Sequence, residues 1–376
     1  MRWATISAAA ALVSSASAHL NIVLTNDDGF GTANIRALYN ELTKQKHNVL
    51  IVGPASQQSA TGGTTLWPTS NLTSRGGHDL LTPGAYFAGQ EPGLDNPGIT
   101  YFNGTPAACV FYALDVVAPV FLKVNSQPQD SNKSVDLVVS GPNEGSNLGP
   151  LVFTLSGTLG AAYVAVGRGV PAVAFSAGNS TKRSYKDWNP EDPTDIANVH
   201  AKLGANLVSA LAYGVDISKG EKVLPTSLGL NVNFPKINCE QSSKKQERGL
   251  AADLLLIDSL ATCQGLPMVQ TRLTGSALTD KVVFNAAGFP TYGDLAGASG
   301  INNCVTGDCS LPGETLIATT TCMSSVTAFS VDYDAPQAYT ASTKEHLEYT
   351  VLNKLNTDVG TYKRDWQPRG KSMIFE

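Results

Sequence analysis

The chain carries two adjacent carboxylates, Asp27 and Asp28, inside the run Asn26-Asp27-Asp28-Gly29. Neighbouring negative charges repel, and a bound cation removes that cost. Carboxylate and neutral oxygen ligands suit Mg2+, Mn2+ or Ca2+ rather than zinc or copper. The same run also fits an Asx-rich turn that caps a following helix, so by itself it leaves both readings open. Further oxygen-rich segments shift the balance. Residues 54–63 (PASQQSATGG) hold Ser59 among hydroxyls and amides, with no charge. Residues 141–149 (GPNEGSNLG) place Asn143 and Asn147 four apart among glycines. They offer carbonyls to a metal, amides to phosphate oxygens, and bare backbone N–H groups. Ser156-Gly157-Thr158 opens a helical run, and a helix N-terminus is an anion site. Asn103-Gly104-Thr105-Pro106 does the same before another helix, with a plain capped turn as the other reading.

Positioning such residues takes strands. Residues 20–25 (LNIVLT), Asn48–Val52, Asp136–Ser140, Pro171–Ser176 and Ser227–Phe234 are short, apolar, β-branched runs. Helical patterns separate them: Ile35, Leu38 and Leu42 at turn spacing, then residues 106–117, 157–168 and 193–213. Strands alternating with helices predict an α/β fold, a parallel sheet covered on both faces. In such sheets ligands bind outside the carboxyl ends of the strands, where the oxygen-rich loops fall. After about residue 235 the pattern becomes irregular and partly β, with β-like runs at Lys281–Phe284 and Leu316–Thr319. Residues 343–356 read as a terminal helix with Leu347, Val351 and Leu355 on one stripe.

The 376 residues carry 26 Lys+Arg against 31 Asp+Glu, a formal charge of −5, which argues against a nucleic-acid duplex as partner. Met1-Arg2, an apolar run to Val13 and Ala16-Ser17-Ala18 read as a signal peptide over residues 1–18, so a secreted chain starting at His19 is expected. No later stretch reaches the roughly 18 apolar residues of a membrane span. In an oxidising compartment the six cysteines can pair. Cys304 with Cys309, which bracket a short turn, is the first candidate, and Cys239 with Cys263 the second; Cys109, in an apolar helical run, reads as buried and free. Sequons at Asn71, Asn132 and Asn179 are expected to be exposed.

Taken together, NDDG at 26–29, the P-x4-S loop at 54–59, NGTP at 103–106, SGPNEGSNLG at 140–149, SGT at 156–158 and the PAVAFS strand at 171–176 resemble the SurE family in order and spacing. The resemblance is good over residues 20–235. It implies a Rossmann-like three-layer core at 19–235 and a β-rich extension with terminal helix at 236–376. It further implies a metal-dependent nucleotidase or acid phosphatase with one divalent ion, Mg2+ or Mn2+, held by Asp27, Asp28, Ser59 and Asn143. The phosphate pocket maps onto Asn147 and Ser156, Gly157 and Thr158, with Asn26, Asn103, Gly104 and Thr105 nearby. A homodimer through the extension is implied as well. Departures are Pro142 in place of the usual Ile, Val164 in place of a Glu, and the absence of acidic residues in 150–155. The expected reaction is hydrolysis of small phosphomonoesters by activated water, with Asp27 orienting it. Two other readings stand beside it. Ala174-Phe175-Ser176-Ala177-Gly178 is a degraded esterase elbow with Ser176 as nucleophile and His200 or His346 as base. The fold would also suit a catalytically inactive nucleotide-binding module.

Overall fold

The computed structural model describes residues 18–123, 135–179, 182–237, 267–277, 281–293, 303–304 and 307–332. Its main sheet has nine strands: β1 (Asn21–Thr25), β2 (Asn48–Pro54), β3 (Ala88–Gly89), β4 (Ile99–Phe102), β5 (Leu137–Glu144), β6 (Ala172–Ala177), β7 (Leu228–Asn233), β8 (Met268–Thr271) and β11 (Ser324–Ser330). They lie in the order β3-β4-β2-β1-β5-β6-β7-β11-β8. The six from β4 to β7 run parallel, while β3 and β11 run antiparallel to their neighbours β4 and β7. A separate hairpin pairs β9 (Lys281–Phe284) with β10 (Pro290–Gly293). The expected α/β fold is therefore present.

Strand side chains alternate between two cores, which is why the runs read as continuously apolar. Ile22, Leu24, Ile51, Val139 and Phe175 enter one core with α1 (Ala33–Lys44) and α6 (Ile196–Ala212). Val23, Leu50, Val138 and Ala174 enter the other with α2 (Pro106–Tyr112) and α5 (Gly157–Gly167). α2 runs on through a π-turn at Ala113–Val117 into α3 (Ala118–Phe121). α4 (Gly149–Leu155) leads directly into α5 through Ser156. None of the described helices is long and apolar enough by itself to cross a membrane.

The segment after residue 235 is less separate than its irregular sequence suggests. β11 pairs with β7, and β8 with β11, so these strands extend the core's own sheet. The β-like run Leu316–Thr319 is corrected: it lies in α7 (Glu314–Thr320). Glu314, Ile317 and Ala318 are buried at helical spacing. The hydroxyls of Thr319, Thr320 and Thr321 donate to carbonyls four residues back, so β-branched residues are accommodated in a helix. The predicted terminal helix at 343–356 and the expected signal peptide, up to residue 17, fall outside the described residues.

Cys304 and Cys309 are disulfide-bonded, and Cys109 is buried and free, as read from the sequence. Cys239 and Cys263 lie outside the described residues, as does Asn132. Asn71 is exposed. The expectation for Asn179 is corrected: its side-chain nitrogen donates to the Ile237 carbonyl at 2.8 Å and its oxygen accepts from Ile237 N at 2.8 Å.

His200 is fully buried in α6, stacked 5.3 Å from Phe234, with neither ring nitrogen hydrogen-bonded. Burial holds its pKa down to about 3, from 6.5. The folded value lies below the unfolded one, so the stability contribution is complete above pH 6.5 and is lost as pH falls toward 3. By pH 5 the loss amounts to about 2 kcal/mol. His200→Leu removes this slope. Denaturant melts at pH 7.5 and pH 5 check it, and an unchanged difference between the two pH values would contradict it.

Candidate active site

β1 ends at Thr25, and the next four residues make a tight turn. The Asn26 side chain builds that turn: its oxygen accepts from Gly29 N at 3.2 Å, and its nitrogen donates to Gly29 O at 3.0 Å and to Thr32 Oγ1 at 3.3 Å. Gly29 has φ +111° and faces the Pro54 carbonyl, which requires glycine. Asn26 is fully buried, and its side chain shapes the turn.

The turn presents Asp27 and Asp28, both buried. Asp27 Oδ1 accepts from Thr158 Oγ1 at 2.6 Å, and Asp28 Oδ2 from Glu144 N at 2.8 Å. Gln58 N donates to the Asp27 carbonyl at 2.7 Å, which brings the Ser59 loop alongside. Gly157 closes the other side. A methyl there would sit 2.9 Å from both Asp27 Cβ and Thr61 Oγ1, so only glycine lets α5 begin against the carboxylate.

Burial raises the pKa of Asp27, against hydrogen bonds from the Thr158 side chain and from backbone at Thr158 and Gly157. The start of α5 thus supports Asp27 itself. Asp28 is pushed up to about 8 by burial and then by the charges of Asp27 and Glu144. Glu144 is raised to about 7, mainly by burial. Three carboxyls share a low-dielectric end of the sheet, and a cation relieves all three.

The donors fit a hard divalent ion. Asn143 Nδ2 is held by the Gly145 carbonyl at 2.8 Å, which leaves its carbonyl oxygen as the ligand atom. A register shift between Ser140 and Asn143 carries Asn143 to the strand end. Gly141 makes the shift possible: it has φ +111°, and a Cβ there would lie 2.2 Å from the Phe175 carbonyl. Ser59 is exposed, its hydroxyl accepting from Gln57 Nε2 at 3.2 Å. Among the described residues no three His, Cys, Asp or Glu side chains form a metal cage. Two carboxylates supplemented by Asn and Ser oxygens are a donor set for Mg2+ or Mn2+.

Several residues read as phosphate ligands also serve the framework. Ser156 Oγ caps α5 through Leu159 N at 3.1 Å. Thr105 Oγ1 donates to Thr64 O at 2.6 Å and accepts from Leu66 N and Ala108 N, so its capped-turn reading holds. Gly104 packs against Phe102 and the Leu66 carbonyl. Asn103, half-buried at the end of β4, donates its N–H to the Phe87 carbonyl. Asn147 Nδ2 turns inward to Ser176 Oγ at 2.8 Å.

Two charged neighbours were missed. Glu144 stood in view inside the glycine-rich segment, one residue from Asn143. Lys182, whose charge lowers the pKa of Asp28, had no motif to announce it. The segment beside it is tied to the turn by Ala33 N to Arg183 O at 3.0 Å and Tyr185 N to Gly31 O at 2.9 Å.

The esterase reading fails on this geometry. Ser176 is fully buried and accepts from Asn147, and among the described residues no α-helix begins after β6 until α6 at Ile196, nineteen residues on from Ala177. His200 lies in the opposite core with no hydrogen-bond partner. His346 lies outside the described residues.

Thr158→Val tests the support of Asp27. Removing one partner from a buried carboxylate costs about 1–3 kcal/mol of stability and slows turnover about tenfold. Melting curves and initial rates on a phosphomonoester check both figures.

A family model described as "Survival protein SurE" matches residues 22–251. An acid phosphatase of Yarrowia lipolytica is 42% identical over 325 residues, which cover 85% of this chain and 82% of that one. A 5'-nucleotidase SurE of Lawsonia intracellularis is 30% identical over 223 residues, which cover 59% of this chain and 69% of that one. A solved SurE protein from Aquifex aeolicus shares the fold, with a TM-score of 0.50, 22% identity, and coverage of 87% of this chain and 99% of its own. The match spans more than half of the sequence and includes the turn, the shifted strand and the α5 start described above, so the chain belongs to the SurE family.

Proposed function

We propose that the chain is a secreted, metal-dependent phosphomonoesterase that hydrolyses small phosphoesters, nucleoside monophosphates among them. One observation carries the reading: two adjacent buried carboxylates, backed by Glu144 and flanked by neutral oxygens, at the carboxyl end of a parallel sheet. The names of relatives, acid phosphatase and 5'-nucleotidase, supply the reaction class.

Asp27, Asp28, Asn143 and Ser59 would hold the ion. When bound, it neutralises phosphate charge and lowers the pKa of nearby water. Asp27 is fixed by Thr158 and the first N–H groups of α5. It would orient the attacking water and take its proton.

A panel of 5'- and 3'-nucleoside monophosphates, glycerol phosphate and polyphosphate, assayed with Mg2+ or Mn2+ at acidic and neutral pH, tests the reading. Release of inorganic phosphate from monoesters is the expected result. Silence on every ester would favour a nucleotide-binding module. Secretion is tested separately: protein collected outside the cell should begin at His19.

A further inference from the structure

Glu314 lies beyond the segment that matches the SurE model, at the first turn of α7. It is nevertheless fully buried and bonded to the site's own framework. Its carboxylate accepts from Gly149 N at 2.8 Å, Asn231 Nδ2 at 3.0 Å and Thr327 Oγ1 at 2.7 Å. Asn231 Nδ2 also donates to the Asn147 carbonyl at 3.1 Å. Asn233 grips the same residue twice, accepting from Asn147 N at 2.8 Å and donating to Asn147 O at 3.0 Å. Asn147 Nδ2 completes the path at Ser176 Oγ, 2.8 Å away. Ser176 is the register partner of Asn143 across β5 and β6.

We propose that Glu314 is a positioning residue for the active site, fixing the 143–149 loop and through it Asn143 and Asn147. The proposal rests on the phosphomonoesterase reading above. Three features support it. The loop needs outside anchors, because Gly145 at φ +124° and Gly149 at φ +82° leave its backbone intrinsically free. Glu314 grips its last residue, where α4 begins. The anchor is itself rigid: Glu314 N donates to Arg272 O, Arg272 N to Pro312 O, and the Arg272 side chain to the carbonyls of Leu311 and Thr274. A carboxylate whose hydrogen-bond donors are all neutral is costly to bury, and apolar packing at this position would cost less. The network instead supplies three directional bonds, one of them to the site loop.

The test uses the full chain with Mg2+ or Mn2+ present, comparing wild type, Glu314→Ala and Glu314→Gln. Turnover of glycerol phosphate is normalised to the folded fraction, and hydrogen exchange is followed in peptides covering residues 141–155. Glu314→Ala should lower kcat about tenfold or more with a smaller change in KM, and speed exchange in the loop while β1 and β2 stay protected. Glu314→Gln keeps an acceptor for Gly149 and should restore kcat to within about fivefold of wild type. Wild-type kcat per folded molecule in Glu314→Ala, with unchanged loop exchange, would overturn the proposal. Should Glu314→Ala not fold, Glu314→Met, which fills the same space without an acceptor for Gly149, takes its place, and wild-type kcat and loop exchange in it would overturn the proposal equally. If wild type itself releases no phosphate, the functional reading falls, and loop exchange still decides whether Glu314 holds the loop.

Discussion

Asp27→Asn leaves a folded protein that hydrolyses phosphomonoesters at least about 100-fold more slowly. The substitution keeps the shape of the side chain and an oxygen for Thr158 Oγ1, now 2.6 Å from the carboxylate. It removes the charge that binds the cation and the base that takes water's proton. Stability moves the other way. Asp27 is almost completely buried, and its charge is costly there without a cation. It also repels Asp28. In chelator the variant therefore melts above the wild type. Initial rates and melting temperatures measured on the same samples decide the matter. Activity within tenfold of wild type would remove Asp27 from the mechanism.

Gly160→Ala disables the protein through packing. Gly160 lies on α5 where the helix passes the 61–63 loop. A methyl on it would fall 1.9 Å from the Gly62 carbonyl oxygen and 2.7 Å from Gly63 N. These are backbone atoms that no rotamer change can move aside. Gly62 is itself pinned, its N–H bonded to Leu155 O at 3.0 Å and its φ at +51°. Relief requires the loop to leave α5. That carries Thr61 away from Gly157 and loosens the Gln58 contact with Asp27. The expected cost is at least about 2 kcal/mol of stability, with turnover lost beyond that of the unfolded fraction. Gly167→Ala is the control, on the same helix with open space around it. Equal behaviour of the two variants would contradict the packing argument.

Much of this was legible in the sequence because strand burial on two faces leaves a strong mark. β1, β2, β5, β6 and β7 announced themselves as apolar runs, and the residues after them as the place for chemistry. Asp27 and Asp28 stood out because several oxygen-rich loops fall with them at strand ends, where the adjacent acids alone also fit a capping turn. Direction was not legible. Asn26, Thr105 and Asn147 carry the groups a phosphate pocket needs, yet each turns its side chain into the fold. Residue type states what an amide or hydroxyl can bond, and tertiary packing chooses which partner it gets. The same limit hid α7, whose threonine-rich run favours strand until their hydroxyls find carbonyls one turn back. β4 was missed because Ile99–Phe102 is a short strand with no helical pattern called before it. Glu314 was out of reach, since its partner Gly149 lies 165 residues earlier.

The central claim is that a divalent ion held at Asp27 and Asp28 is needed to hydrolyse phosphomonoesters. The most direct measurement follows phosphate release from a nucleoside monophosphate before chelation, after chelation and dialysis, and after Mg2+ or Mn2+ is returned, in wild type and in Asp27→Asn. The account predicts that chelation silences the wild type, that the metal restores it, and that the variant stays silent throughout. Hydrolysis that persists in chelator, or a variant that regains wild-type rates with metal, would contradict it.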